Sequence, residues 1–123
     1  MKPCHAYGWF SGGFEVGART GHNVVIYRGN PAALAVDVGV EVFAGFTGHG
    51  EIKPVSTPSG EVATTAHFGE YSEMAPAYAA LEQWWNGNGR RPAGVSWEVY
   101  GDWEDDPAKL RTDIYFLLRP AAP

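Results

Sequence analysis

The sequence predicts an α+β domain of duplicated strand-helix-strand-strand units with antiparallel sheets, on three observations. Strand-length alternations of apolar and polar residues dominate the chain, one convincing amphipathic helix stands among them, and a short strand pattern recurs in both halves. Composition agrees. With 123 residues the chain is one domain with room for a core, assigned to residues 1–118. Its 16 glycines, 9 prolines and 14% aromatic content favour short strands and tight turns over a helical bundle.

Along the chain, Met1 to Thr20 holds Tyr7, Trp9, Phe10 and Phe14, but four glycines break every periodic window, leaving an irregular aromatic segment that resembles the worn end of a helix. His22 to Arg28 reads as a strand, closed by the turn Gly29-Asn30-Pro31. Leu34 to Phe46 alternates longest, with Val36, Val38, Val40 and Val42 on one face and Asp37, Gly39 and Glu41 on the other. Thr47 to Gly60 is a connection ending in the turn Pro58-Ser59-Gly60, and Glu61 to Phe68 returns to strand. The helix starts between Ser72 and Pro76, since proline is tolerated only in a first turn. Its apolar stripe is Ala77, Leu81, Trp84 and Trp85 with Tyr78 alongside, and Gly87-Asn88-Gly89 stops it. Gly94 to Tyr100 is a strand, Asp102 to Pro107 an acidic turn, and Thr112 to Leu118 the last strand, with Asp113, Tyr115 and Leu117 on one face. Residues 119–123 are expected to be a disordered tail.

The recurrence pairs Gly21–Tyr27 with Gly94–Tyr100, and Pro31 and Asp37 with Pro107 and Asp113. The second unit starts at Gly60, 34 residues before Gly94, so a first unit of equal size would start before Met1. Its opening strand is therefore expected to be missing, which leaves an exposed edge suited to homodimerisation or to another chain.

Net charge is −5, and the nine basic residues are scattered apart from Arg90-Arg91, so no basic stripe for direct nucleic-acid contact exists. Cys4 alone excludes an internal disulfide. No membrane-spanning run and no signal sequence is evident, which points to a soluble, cytoplasmic chain with no membrane partner. The four histidines are too irregularly spaced for a metal site, and no cofactor is expected.

The chemistry concentrates at Glu98. Val95, Trp97 and Val99 form an apolar strand face, whereas Ser96, Glu98 and Tyr100 form the other. A carboxylate in a half-buried strand needs a partner, because a desolvated unpaired charge is expensive. Either an arginine such as Arg28 or Arg111 meets it, or a ligand brings the cation, or the side chain reaches solvent.

Taken together, Pro58-Ser59-Gly60, His67-Phe68-Gly69-Glu70-Tyr71, Trp84-Trp85, Trp97-Glu98-Val99-Tyr100 and Thr112-Asp113-Ile114-Tyr115 give residues 21–118 a sequence that resembles the GyrI-like small-molecule-binding domain, also called the AraC-type effector-binding domain. The resemblance implies helices on one side of the sheets and an aromatic pocket between two halves. It implies Glu98 as the acidic anchor for an amphipathic, cationic aromatic ligand, lined by Tyr27, Tyr71, Trp85, Tyr100 and Tyr115. With no DNA-binding domain in view, the chain is expected to work as a stand-alone effector- or drug-binding module rather than as an ordinary transcription factor. Two other readings stay open: a hydrolase of strained electrophiles using Glu98 and a neighbouring tyrosine, and a protein-partner modulator of the DNA gyrase inhibitor type.

Overall fold

The computed structural model describes residues 5–7, 19–30, 32–42, 47–48, 50 and 52–121. Most of the aromatic N-terminal segment, the Phe43 and Phe46 end of the long alternation, and residues 122–123 of the tail lie outside the described residues.

The alternating segments form seven strands: β1 (His5–Tyr7), β2 (Arg19–Arg28), β3 (Ala35–Val42), β4 (Lys53–Val55), β5 (Val62–Phe68), β6 (Pro92–Tyr100) and β7 (Arg111–Leu118). They make one sheet in the order β4-β1-β3-β2-β6-β7-β5, with every neighbouring pair antiparallel. The fold is α+β, as the sequence predicts. The order β1-β3-β2 in the first half matches β5-β7-β6 in the second, and the halves join where β2 pairs with β6.

One expectation is corrected here. The opening strand of the first half is present: β1 pairs with β3, placing His5 opposite Glu41 and Tyr7 opposite Gly39, and β4 pairs with its other side. Three residues are too few to show an alternation, and β4 is just as short. Among the described residues the sheet edges are thus β4 and β5, and β1 covers β3 only at Gly39–Glu41.

The single α-helix among the described residues, α1 (Ala75–Gly87), begins with Pro76 in its first turn. Asn88 closes it, its side-chain amide donating to the Trp84 carbonyl at 2.8 Å. Glycine is required at the turn after β2: Gly29 has φ +101°, and a Cβ there would lie 2.4 Å from the Ala33 carbonyl oxygen.

Two apolar clusters hold the sheet. On the α1 side, Leu81 and Trp85 pack with Met74, Ala63, Ile114 and Leu118. On the opposite face Val24, Ile26 and Trp97 are almost wholly buried, with Val55 of β4 and Val62 of β5 packed against them. Those two strands stand at opposite ends of the strand order, so both halves of the sheet contribute to this cluster.

Candidate functional site

Glu98 stands at the seam between the two halves. On β6 it lies opposite Val25 of β2 and Ile114 of β7, two central pairings that remove it from water, and the residue is 6% exposed. Its side chain shares the α1 side of the sheet with Tyr100, and the period of two that sends Trp97 into the opposite cluster dictates this.

Among the described residues the carboxylate is met by phenols rather than by a cation. Tyr27 donates to Oε1 at 3.3 Å, Tyr100 donates to the same oxygen, and Tyr78 of α1 donates to Oε2. A carboxylate offers about four lone-pair sites, so these donors occupy most of them. The arginines suited to an ion pair are engaged elsewhere: Arg28 with Asp37, and Arg111 Nε with Asp113 Oδ1 at 2.9 Å. Among the described residues no basic side chain pairs with Glu98, and Arg28 and Arg111 are not its partners.

Burial and the adjacent negative charge act together on the phenols. Burial is the larger influence on Tyr100, followed by its hydrogen bond to Glu98 and the Glu98 charge, and it pushes the hydroxyl far above the usual tyrosine range. Tyr27 is raised by the same causes. Both rings therefore remain neutral donors at physiological pH, and a phenolate nucleophile is disfavoured.

The other expected site residues divide. Tyr71, on a single 3-10 turn at Tyr71–Glu73, stands edge-on to Tyr100 at 5.4 Å between ring centroids and is 42% exposed, which makes it an outer ring of the same cluster. Tyr115 lies directly opposite Trp97 and stacks on it at 5.5 Å and 11°, so it belongs to the other face of the sheet. Its hydroxyl is also raised, chiefly by burial and then by Asp113. Trp85 is buried in the α1 cluster, tilted against Phe116 at 4.9 Å, while Trp84 is the tryptophan that turns outward, 47% exposed. Trp85, expected to line the pocket, is thus a core residue. Adjacent helical residues point about 100° apart, and packing of the helix on β5 and β7 selects Trp85 for the core.

Tyr78 was not among the expected site residues. Its position beside the helix stripe marks it as core, and its ring does pack edge-on against Phe116 at 5.8 Å. The available signal is the hydroxyl itself, since a buried tyrosine needs an acceptor. Thr112, opposite Tyr100 on β7, is fully buried and its hydroxyl has no hydrogen-bond partner. Among the described residues no cluster of histidine, cysteine and carboxylate side chains is arranged to hold a metal, and no helix is long and apolar enough to cross a membrane.

Solved structures that this fold matches include two of EcmrR. The C-terminal domain of EcmrR superposes with a TM-score of 0.72 at 24% identity, covering 81% of this chain and 67% of that one. EcmrR in its complex with DNA superposes with a TM-score of 0.71 at 24% identity, again over 81% of this chain, which spans only 40% of that protein's length. No match to a curated protein sequence is found. The family model of the GyrI-like small molecule binding domain matches residues 26–119, a span containing Glu98 and all three of its phenolic donors, and the chain belongs to that family.

Proposed function

We propose that this small-molecule-binding domain takes up an amphipathic, cationic aromatic ligand at Glu98, with Tyr27, Tyr71, Tyr78 and Tyr100 as its surround. The observation that carries the reading is a buried carboxylate whose partners among the described residues are all phenols. Hydrogen bonds from phenols bring no positive charge to the carboxylate, so a desolvated cation would gain from it directly. Tyrosine faces add about 0.5 to 2 kcal/mol each toward a cation, and more readily when water is excluded. Tyr71 is the outermost ring of the cluster, edge-on to Tyr100 and partly exposed, on the side from which a ligand would approach. Neutral phenols favour binding over covalent catalysis at this centre.

Calorimetric titration with tetraphenylphosphonium and with triphenylphosphine oxide, a neutral molecule of similar shape, tests the proposal. The cation is expected to bind wild type and to lose roughly 10- to 100-fold in affinity with Glu98→Gln, about 1.4 to 2.7 kcal/mol, while the neutral ligand is unaffected. Equal binding of the two ligands to both proteins rejects a charge-reading role for Glu98.

A further inference from the structure

At the corner where α1 ends, β6 begins and β7 finishes, an open groove of about 540 Å³ is lined by Trp85, Asn86, Arg90, Arg91, Pro92 and Arg119. We propose that it binds a small molecule through a phosphate or carboxylate group, separately from the Glu98 site.

The topology forces three guanidinium-bearing residues together there. Pro92 lies opposite Leu118, and continuing that antiparallel register puts Arg91 opposite Arg119, with the Arg119 amide donating to the Arg91 carbonyl at 2.8 Å. Like charges directly opposite on paired strands are destabilising, so the arrangement is one that an anion would relieve. Both residues are exposed, and neither has an ion-pair partner among the described residues. Arg90 completes the wall. Its Nη2 donates to Glu61 Oε1 at 2.8 Å and to the Arg119 carbonyl at 3.2 Å, which holds the guanidinium largely buried at 16% exposure. Its Nε remains buried with no hydrogen-bond partner, so the anchored side chain has donor capacity unused.

One exposed carboxylate, Glu61, thus answers three cations in a chain whose net charge is −5. The planar fork of arginine matches the geometry of an oxyanion, and the groove has the volume of a small-molecule site rather than of a protein interface. Its polar walls suit the anionic group of the ligand, and the buried Trp85 edge suits an attached apolar portion.

The test is NMR titration of the intact chain at constant ionic strength with inorganic phosphate and, in parallel, with citrate, following backbone amides and arginine Nε–H signals. Saturable shifts confined to residues 85–92 and 118–119 are expected. Saturation by phosphate alone assigns the site to phosphoryl compounds, and saturation by citrate alone assigns it to carboxylates. The double variant Arg91→Gln/Arg119→Gln is expected to lose at least tenfold in affinity with a thermal midpoint that does not fall, because both side chains are exposed and their mutual repulsion is removed, whereas Glu98→Gln retains anion binding. Non-saturating shifts with both anions, or equal affinity in the double variant, overturn the proposal.

Discussion

At the scale of the residue, the protein is organised by one carboxylate and the hydroxyls that answer it. Hydrogen bonds to a charged group contribute about 1.5 to 3 kcal/mol, so Tyr78→Phe and Tyr100→Phe are each expected to destabilise the fold by about that much. Tyr27→Phe, which removes a longer contact of 3.3 Å, costs about 1 kcal/mol. Urea unfolding checks the order: the midpoints fall most for the first two while the slope stays constant. The same phenols set an alkaline limit. Tyr27 and Tyr100 have hydroxyl pKa values raised on folding, so the folded state holds protons that the unfolded chain releases above about pH 10. Their contribution to stability is fully present below that pH and is lost as pH rises from the unfolded value toward the folded ones. Unfolding measured from pH 8 to 11.5 is expected to show the loss begin near pH 10 in wild type and flatten in Tyr27→Phe/Tyr100→Phe.

At the scale of the element, α1 serves both the core and the site. Leu81 and Trp85 bury the helix against β5 and β7, and that docking carries the Tyr78 hydroxyl to Glu98. Trp85→Ala is therefore expected to cost about 3 to 5 kcal/mol, the range for emptying an aromatic core position. Trp84→Ala, at an outward position, costs about 0.5 kcal/mol or less. Comparing the two by thermal unfolding separates the roles of neighbouring tryptophans that periodicity alone leaves on one stripe. The turn after β2 shows the opposite case, where local chemistry suffices: Gly29-Asn30-Pro31 announces it, and the Asn30 side chain accepts from the Ala32 and Ala33 amides.

At the scale of the whole molecule, the seam between β2 and β6 holds the two halves together. Val24 and Ile26 from one half meet Trp97 from the other on one face of the sheet, and Tyr27 meets Glu98 on the opposite face. Amide hydrogen exchange is expected to be slowest at Val24, Ile26, Trp97 and Ile114 and fastest in the short strands β1 and β4, since the central strands pair on both sides and carry the most buried residues. Each of the two aspartates that the spacing relates engages an arginine, Asp37 with Arg28 across the β2–β3 pair and Asp113 with Arg111 within β7. These contacts also explain why neither arginine is available to Glu98.

Much of this was legible in the residues. Period-two alternation identified the five longer strands, Pro76 and the Gly87-Asn88-Gly89 stop bounded the helix, and the lone acid between Ser96 and Tyr100 identified the centre, because these are local consequences of backbone geometry and of the cost of burying charge. The three-residue strands β1 and β4 were not legible, since so short a segment carries no periodicity. Nor was the sharing of Glu98 among Tyr27, Tyr78 and Tyr100, which join it from three elements across up to 71 residues of sequence. Strand register decided that Tyr115 stacks on Trp97 and that Tyr27 reaches Glu98, and helix docking decided which of two adjacent tryptophans is buried. Sequence by itself determined which groups are chemically expensive and which face of an element they share. Only the tertiary structure decided how that expense is met, because pairing across strands and between helix and sheet depends on register and rotation that no local pattern encodes.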